Sequence, residues 1–186
     1  MPDKKSKSKG IAIELKIPDK VSARVENGIV FVKGPKGEVK KNLLDKKVSI
    51  ESKDGSIMLK TPEMGKINKK CIKSYAAHIR SMIKGSIDGY KYTLKICSGH
   101  FPMSVTVSNN QFTVKNFLGE KVPRLLKIKQ GVKVEVQGDN VKVTGQDKEL
   151  VSQTAADIEQ LTRITNRDRR IFQDGLYITQ KAGEEE

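Results

Sequence analysis

The feature that most constrains the fold of this chain is an internal repeat. The segment 25–39 matches the segment 107–121 at a constant offset of 82 positions. After an insertion of two residues the match continues, with Val48 falling on Val132. A repeat of this length indicates one structural module that has been duplicated. We therefore expect a body with two lobes, which leaves little room for a deep pocket in a chain of 186 residues.

The length and the linker composition agree with this division. A chain of 186 residues accommodates two modules of about 80–90 residues each. The stretch Gly85–Gly89 reads G-S-I-D-G, which is typical of a boundary between structured segments. The predicted organisation is a basic, disordered tail at residues 1–9, a first lobe at 10–85, a second lobe at 86–182 and an acidic tail at 183–186.

Alternating apolar and polar residues predict strands in both lobes. Ile11, Ile13 and Leu15 alternate with more polar positions, as on a half-buried strand. Asn27-Gly28 and Asp54-Gly55 are dipeptides that favour tight hairpin turns. Strands are expected at 11–17, 21–25, 29–33, 38–43, 48–52 and 56–60 in the first lobe, and at 90–97, 103–107, 112–115, 121–128, 132–136 and 141–144 in the second.

One helix is predicted after each run of strands. Thr61 as N-cap and Pro62 at the first helical position start a helix that runs to about Lys84. Asp147 caps a second helix that runs to about Arg163. The three- and four-residue spacing in the first helix predicts an apolar face made of Met64, Ile67, Cys71, Tyr75, Ile79 and Met82. The expected fold class is α+β, with two tandem duplicated lobes that are each an antiparallel β-sheet packed with one α-helix.

The charge of the chain indicates a polyanionic partner. Lys and Arg number 36 against 22 Asp and Glu, which gives a net charge of +14. A charge of this size on a small body repels itself, so an acidic partner explains it best. No apolar run is long enough for a membrane span, and we expect no membrane association. Cys71 and Cys97 are typical of reduced, buried cysteines in an intracellular protein.

The sequence contains few groups that could support catalysis. Cys71 and His78 share a predicted helix at seven-residue separation, about 10 Å along its axis, which is too far for a nucleophile–base pair. Cys97 and His100 are the one remaining candidate pair, near a strand end. The Cys and His spacings do not match a zinc site. We predict that the chain is not an enzyme and has no metal, no cofactor and no small-molecule substrate.

Two basic segments of the second lobe are the main candidates for binding. Most of the arginines of this chain lie within eight positions, at Arg163, Arg167, Arg169 and Arg170. Guanidinium groups grip phosphate with two parallel hydrogen bonds, which lysine cannot do, so this cluster predicts RNA contact. The second segment places positive charge beside Gly119, where a sugar-phosphate backbone could approach closely. Its cations are Lys121, Arg124, Lys127 and Lys129.

Other interpretations of these features remain open. Arg167 or Arg170 could instead pair with Asp168 or Asp174 and hold the C-terminal segment in place. Phe172 and Tyr177 alternate with polar residues as on a closing strand, which favours core positions over base stacking. The lysine-rich face of the first helix is either an electrostatic contact or a solubilising surface.

Five ordered motifs resemble a known family. These are Val32–Gly37, Met82–Gly85, His100–Pro102, Asn116–Lys121 and Phe172–Tyr177. In this order they resemble the universal L-six family of large-subunit ribosomal proteins, in its archaeal and eukaryotic form. The resemblance covers almost the whole chain after the lysine-rich start, and that family is an internally duplicated α+β fold.

The resemblance implies a function and a set of contact residues. The chain is expected to be a structural constituent of the large ribosomal subunit in the cytoplasm. It would bind 23S/28S-type rRNA near the sarcin–ricin loop and the stalk base, and so support the region where translational GTPases dock. Its other expected partners are neighbouring ribosomal proteins at the stalk base, without homo-oligomerisation. Carried over by position, the favoured RNA contacts are His100, Lys115, Asn116, Lys121, Arg163, Arg167, Arg170 and Lys181.

Two functions of other classes are the alternatives to this reading. A free-standing protein that binds acidic proteins would show weak salt dependence and no affinity for RNA. A small RNA-modifying or hydrolytic enzyme would need a cleft with converging polar groups, which the sequence does not supply.

Overall fold

The computed structural model describes residues 10–45, 47–53, 55–62, 65–168 and 170–183. The chain divides between Asp88 and Gly89 into two compact units, called here the first and the second unit. The predicted tail at residues 1–9 and the acidic residues Glu184–Glu186 lie outside the described residues. In the part of the chain that is described, no helix is long and apolar enough to cross a membrane.

The first unit consists of two three-stranded antiparallel sheets and one helix. The sheets have the strand orders β1-β6-β5 and β2-β3-β4. Tight hairpin turns join β2 to β3 and β3 to β4, and the positive φ of Asn27 (48°) and Gly28 (77°) fits the turn predicted between β2 and β3. The elements are β1 (Ile11–Lys16), β2 (Ser22–Glu26), β3 (Ile29–Gly34), β4 (Gly37–Asn42), β5 (Ser49–Lys53), β6 (Ser56–Thr61) and α1 (Lys66–Ile87).

The second unit repeats this plan and adds one strand. Its sheets have the orders β10-β9-β8 and β11-β12-β7-β13, and all pairs are antiparallel. A 3-10 helix, Phe117–Gly119, lies between β9 and β10. The elements are β7 (Tyr90–Cys97), β8 (Ser104–Ser108), β9 (Gln111–Lys115), β10 (Arg124–Lys127), β11 (Val132–Gln137), β12 (Asn140–Gly145), α2 (Lys148–Leu161) and β13 (Gly175–Gln180).

The predicted fold class is confirmed, with one refinement. Both units are α+β and antiparallel, and each has one α-helix in its described part. The strands of each unit form two sheets rather than the single sheet that was expected. Each helix covers one side of the strands and closes a separate apolar core, since a sheet is stable only when its hydrophobic face is covered.

The duplicated hairpins differ in register by three residues. In the first unit Val32 pairs with Val39. At the offset of 82 the equivalent pair would be Val114 and Lys121, but Val114 pairs with Arg124. The sliding of β10 along β9 lengthens the connection and makes room for the 3-10 helix. The two-residue Pro35-Lys36 turn of the first unit is thereby replaced by a longer loop.

The predicted start of the first helix is wrong. Thr61 is the last residue of β6, where it pairs with Ile11 and is 3% exposed. The helix begins at Lys66, with Gly65 in an extended conformation as its N-cap, and it ends at Ile87 rather than near Lys84. Thr61 belongs to the strand because the antiparallel pairing of β6 with β1 continues through this residue. That pairing overrides the local preference of Thr61 for a helix cap. By contrast Asp147 is confirmed as the N-cap of α2, since it accepts a hydrogen bond from the Glu149 amide (2.8 Å).

The apolar face of α1 is also rotated from the predicted one. Ile67 is 64% exposed, whereas Ile72 and Ala76, which were not assigned to that face, are buried. Ile79 and Met82 are buried as expected, and Met64 lies outside the described residues. Which face of a helix is buried depends on the sheet that it covers. The isoleucines of α1 are spaced so that either of two faces of the helix could have been the apolar one. Cys71 is half-buried, as is Cys97, and neither forms a disulfide.

The rotation of α1 predicts opposite results for two isoleucines. Ile72→Ala removes a fully buried side chain and should lower the free energy of unfolding by about 2–5 kcal/mol. Ile67→Ala, on the exposed side of the same helix, should change it by less than about 0.5 kcal/mol. Urea denaturation followed by circular dichroism measures both. Equal losses in the two variants would contradict this placement of the helix.

Candidate nucleic-acid interface

Three loops meet at one end of the second unit, and we call this surface the loop face. It consists of residues 98–103, which follow β7, residues 116–123, which follow β9, and residues 162–174, which follow α2. Asn116 Nδ2 donates a hydrogen bond to the Pro102 carbonyl (2.9 Å), which joins the first two loops. Arg124 Nη1 donates to the Leu161 carbonyl (2.6 Å), which joins the second loop to the C-terminus of α2.

Asp174 fastens the first loop to the third. Its Oδ1 accepts the amide N–H groups of Gly99 (2.5 Å) and His100 (2.9 Å), and its Oδ2 lies 2.6 Å from His100 Nδ1. A carboxylate only accepts hydrogen bonds, so Nδ1 carries the proton in this contact. Burial alone would raise the pKa of Asp174, which is 3% exposed, but these hydrogen bonds outweigh burial and hold the pKa below its ordinary value.

His100, Phe172 and Arg167 form a stack on the loop face. The rings of His100 and Phe172 have centroids 4.6 Å apart and an interplanar angle of 26°. On Phe172 the guanidinium carbon of Arg167 lies 4.8 Å from the ring centroid, within cation–π range. Because Asp174 holds the His100 end of the stack, Arg167 is linked through Phe172 and His100 to a buried carboxylate three contacts away.

Arg124 anchors the second loop. Its guanidinium forms a two-point contact with the Glu120 carboxylate (2.8 and 2.5 Å) and lies 4.3 Å from the ring centroid of Phe117. The hydrogen bonds from Arg124 lower the pKa of Glu120, against the smaller opposing effect of partial burial. Together with the bond to Leu161, these contacts use most of the donor capacity of Arg124 within the protein.

The backbone of this second loop is unusual. Asn116 (φ 59°) and Leu118 (φ 50°) both adopt left-handed conformations, as does Gly119 (φ 80°). A left-handed leucine is disfavoured and persists only where surrounding structure imposes it. Here the imposed structure is the 3-10 turn with Phe117 buried beneath it. Phe101 packs over Gly119, which adds a second contact between the first two loops.

The structure brings together most of the residues predicted to bind RNA. Lys129 is not on the loop face, because it forms an ion pair with Asp157 of α2 (2.9 Å). Lys127 is also away from it, since it pairs with Gln111 at the far end of the β9–β10 hairpin. Lys181 follows β13, at the end opposite to Gly175. Arg169 lies outside the described residues. The predicted residues on or beside the loop face are His100, Lys115, Asn116, Lys121, Arg124, Arg163, Arg167 and Arg170.

The alternative readings of these residues are partly correct. Arg170 pairs with Asp168 (2.8 Å), as the competing interpretation proposed, whereas Asp174 binds His100 and pairs with none of the described arginines. The core prediction is wrong for Tyr177, which is on β13 but 38% exposed. Phe172 precedes that strand and is half-buried; it packs against the core of the second unit, as predicted, and its ring also stacks on His100.

The loop face contains a concavity of about 760 Å³ that opens beside His100. Cys97 and His100 both line it, but no hydrogen bond joins these two described residues, so the arrangement lacks a nucleophile–base pair. Within the described ranges no group of three or more His, Cys, Asp or Glu side chains could hold a metal ion. The exposed arginines and lysines of the loop face have the chemistry to bind phosphate, and its stacked rings have the chemistry to contact bases.

The sequence reasoning missed the central role of Asp174. It considered this residue only as a partner of arginine, because an acid near a cationic cluster suggests an ion pair. The available signal was its place directly before Gly175, which has a φ of 148° and starts β13. A carboxylate at a strand entry is well placed to accept neighbouring amide groups.

Comparison with known proteins agrees with this architecture. The family model described as ribosomal protein L6 matches the chain twice, at residues 17–89 and at residues 101–175. A large ribosomal subunit protein uL6 from Methanococcus vannielii is 42% identical over 170 residues, covering 91% of this chain and 93% of that protein. The uL6 protein of Natronomonas pharaonis is 38% identical over 167 residues, covering 90% of this chain and 94% of that protein. The chain therefore belongs to the ribosomal protein L6 family, and it is accordingly a structural, RNA-binding constituent of the large ribosomal subunit in the cytoplasm and not an enzyme.

Proposed function

We propose that the loop face is the main rRNA-binding surface of this protein. It would contact large-subunit rRNA near the sarcin–ricin loop and the stalk base, beside neighbouring ribosomal proteins, and so support the region where translational GTPases dock. The observation that carries the proposal is the convergence of three loops on one cationic surface. The location on the ribosome rests on the family resemblance of the five motifs.

Residues of the loop face have two roles in this proposal. Some would contact RNA, and others hold the contacting residues in position. Arg167 is the exposed outer member of the stack, and Arg163 is exposed in the same loop. Lys115 is exposed at the end of β9, and Lys121 is exposed in the loop that follows it. These side chains are placed to neutralise phosphates and release counterions. Asn116 is exposed there as well, and its backbone is left-handed (φ 59°). The loops that carry these residues are joined by hydrogen bonds within the protein, which reduces the ordering cost of binding.

His100 and Arg124 are positioning residues in this proposal. Arg124 is held by Glu120, Phe117 and Leu161, so its charge contributes to the field of the surface while its donors remain largely engaged. His100 supports Phe172 and through it Arg167. Lys127, Lys129 and Lys181 lie off the loop face and would contribute long-range attraction.

Removal of two arginines should weaken RNA binding and lower its salt dependence. For Arg163→Ala/Arg167→Ala we expect at least about a tenfold loss of affinity for deproteinised large-subunit rRNA. The slope of log K against log salt should fall by about 1–2, since each lost phosphate contact removes about 0.7–0.9. Filter binding across a range of potassium chloride concentrations measures both quantities. The matched control is Lys91→Ala/Lys95→Ala, which removes the same charge from exposed positions on β7. Equal losses in the two variants would place the contact elsewhere.

Asp174→Asn should uncouple the loops and alter the acid stability of the protein. The folded pKa of Asp174 is depressed, so its carboxylate stabilises the fold above the ordinary value of 3.8. That stabilisation is lost as the pH falls through the lower folded pKa. The variant should therefore melt at a lower temperature near pH 6 and lose less stability than the unmodified protein between about pH 5 and pH 3. Thermal melts at several pH values test this, and parallel pH profiles would contradict it.

The proposed location on the ribosome can be tested by crosslinking. A photo-reactive amino acid at Thr165, an exposed position in the third loop, should crosslink within assembled large subunits to rRNA at the sarcin–ricin region. The same group at Lys91, off the loop face, should give a different crosslink or none. Crosslinks from Thr165 only to distant RNA segments would refute the location while leaving RNA binding intact.

A further inference from the structure

The exposed side of helix α1 carries a row of cations. They are Lys66, Lys69, Lys70, Lys73, Arg80 and Lys84, and we call them the α1 stripe. All are exposed, and they recur at three- and four-residue steps that place them on one side of the helix. The row extends for about 27 Å at the standard rise per residue.

The α1 stripe has no acidic counterpart. Helix α1 contains no Asp or Glu, and none of the stripe cations forms an ion pair within 4.0 Å with a described residue. Several of them are neighbours at i+3 or i+4, where like charges destabilise a helix. Lys66 and Lys69 lie in the first turn, where the helix dipole is unfavourable to cations. That turn contains no acidic residue, and its N-cap Gly65 provides no side-chain hydrogen bond.

The duplicate helix shows that these costs are not required by the fold. Helix α2 has the side-chain cap Asp147 and an acidic residue, Glu149, in its first turn. It also carries Asp157 and Glu159, and Lys148 is its one basic residue. The same module thus contains a helix with both acidic and basic residues in the second unit. In the first unit all the acidic or basic residues of the helix are basic.

We infer that the α1 stripe is a second RNA-binding surface, separate from the loop face, which docks on the phosphate backbone of an RNA double helix. Five of its six members are lysines, which act as point charges and suit phosphate neutralisation more than base recognition. The helix has no exposed aromatic residue, because Tyr75 is half-buried and its hydroxyl donates to Asp45 (3.4 Å). Single-stranded RNA is usually held by stacking on such residues, so a duplex fits the surface better.

An acidic protein fits the α1 stripe less well. The buried centres of protein–protein interfaces are depleted of lysine and enriched in aromatic residues and arginine. The exposed side of α1 has the opposite composition, with Ile67 as its one large exposed apolar residue. A row of lysines on a helix therefore favours RNA over an acidic protein, because the RNA backbone has the higher density of negative charge.

The test uses the full chain with charge removed at one site. The stripe variant is Lys66→Gln/Lys70→Gln/Lys73→Gln, since glutamine keeps a high helix propensity. The control is Lys16→Gln/Lys20→Gln/Lys53→Gln, which removes the same charge from exposed positions on other elements of the first unit. Binding to deproteinised large-subunit rRNA is measured as a function of salt, together with the melting temperature.

The stripe variant should bind the rRNA at least about tenfold more weakly, with a slope of log K against log salt lower by about 2. The control should lose no more than about twofold. The melting temperature of the stripe variant should stay equal or rise, because repulsion along the helix is relieved. Combined with Arg163→Ala/Arg167→Ala, the two losses should multiply if the surfaces are independent.

Two results would overturn the inference. If the stripe variant and the control bind rRNA equally, the stripe only solubilises the protein. If the stripe variant binds rRNA normally but fails to enter reconstituted large subunits, the partner is an acidic protein. The loop-face variant is tested separately, so failure of one surface leaves the result for the other intact.

Discussion

The loop face depends on the hydrogen bonds that the carboxylate of Asp174 accepts. This carboxylate is buried, and it accepts three hydrogen bonds from a loop more than seventy residues earlier in the chain. Those bonds compensate the cost of placing a charge in the interior. Through His100 and Phe172 the same carboxylate determines where Arg167 lies. The cationic surface that we propose as the rRNA contact is thus organised from beneath by a group of opposite charge.

The two duplicated units share one basic arrangement of sheets and helix but differ in their loops and helix surfaces. The second unit slid one strand by three residues, which created the left-handed turn around Leu118 and space for exposed lysines. It also added β13 and the arginine-rich loop that leads to it. The first unit kept short hairpins and an uncapped basic helix. The two units therefore differ in their loops, their helix surfaces and the register of one hairpin, while the order of the equivalent strands in each sheet is the same.

The sequence predicted the strands and the fold class well because alternation and turn dipeptides are local signals. β7 was predicted with its observed limits, and the repeat located the equivalent strands of both units. The start of α1 was not predictable in this way, because pairing of Thr61 with Ile11 is a long-range contact. The burial of Ile72 instead of Ile67 depended on which side of α1 the sheets cover. The resemblance identified which loops carry the candidate site, yet it could not show that Arg124 and Asp174 are engaged by the protein itself.

The strand β13 has a consequence for the order in which the second unit is completed. β7 begins this unit, but its outer neighbour β13 is made about eighty residues later, after α2. During synthesis the first unit can fold while the second still lacks the strand that carries Asp174 to the loop. We therefore expect the arginine-rich surface to take its fixed shape only after β13 has been made and has paired with β7. The rRNA docking that we propose for this surface would depend on that pairing, whereas the exposed basic residues can attract RNA earlier through their charge.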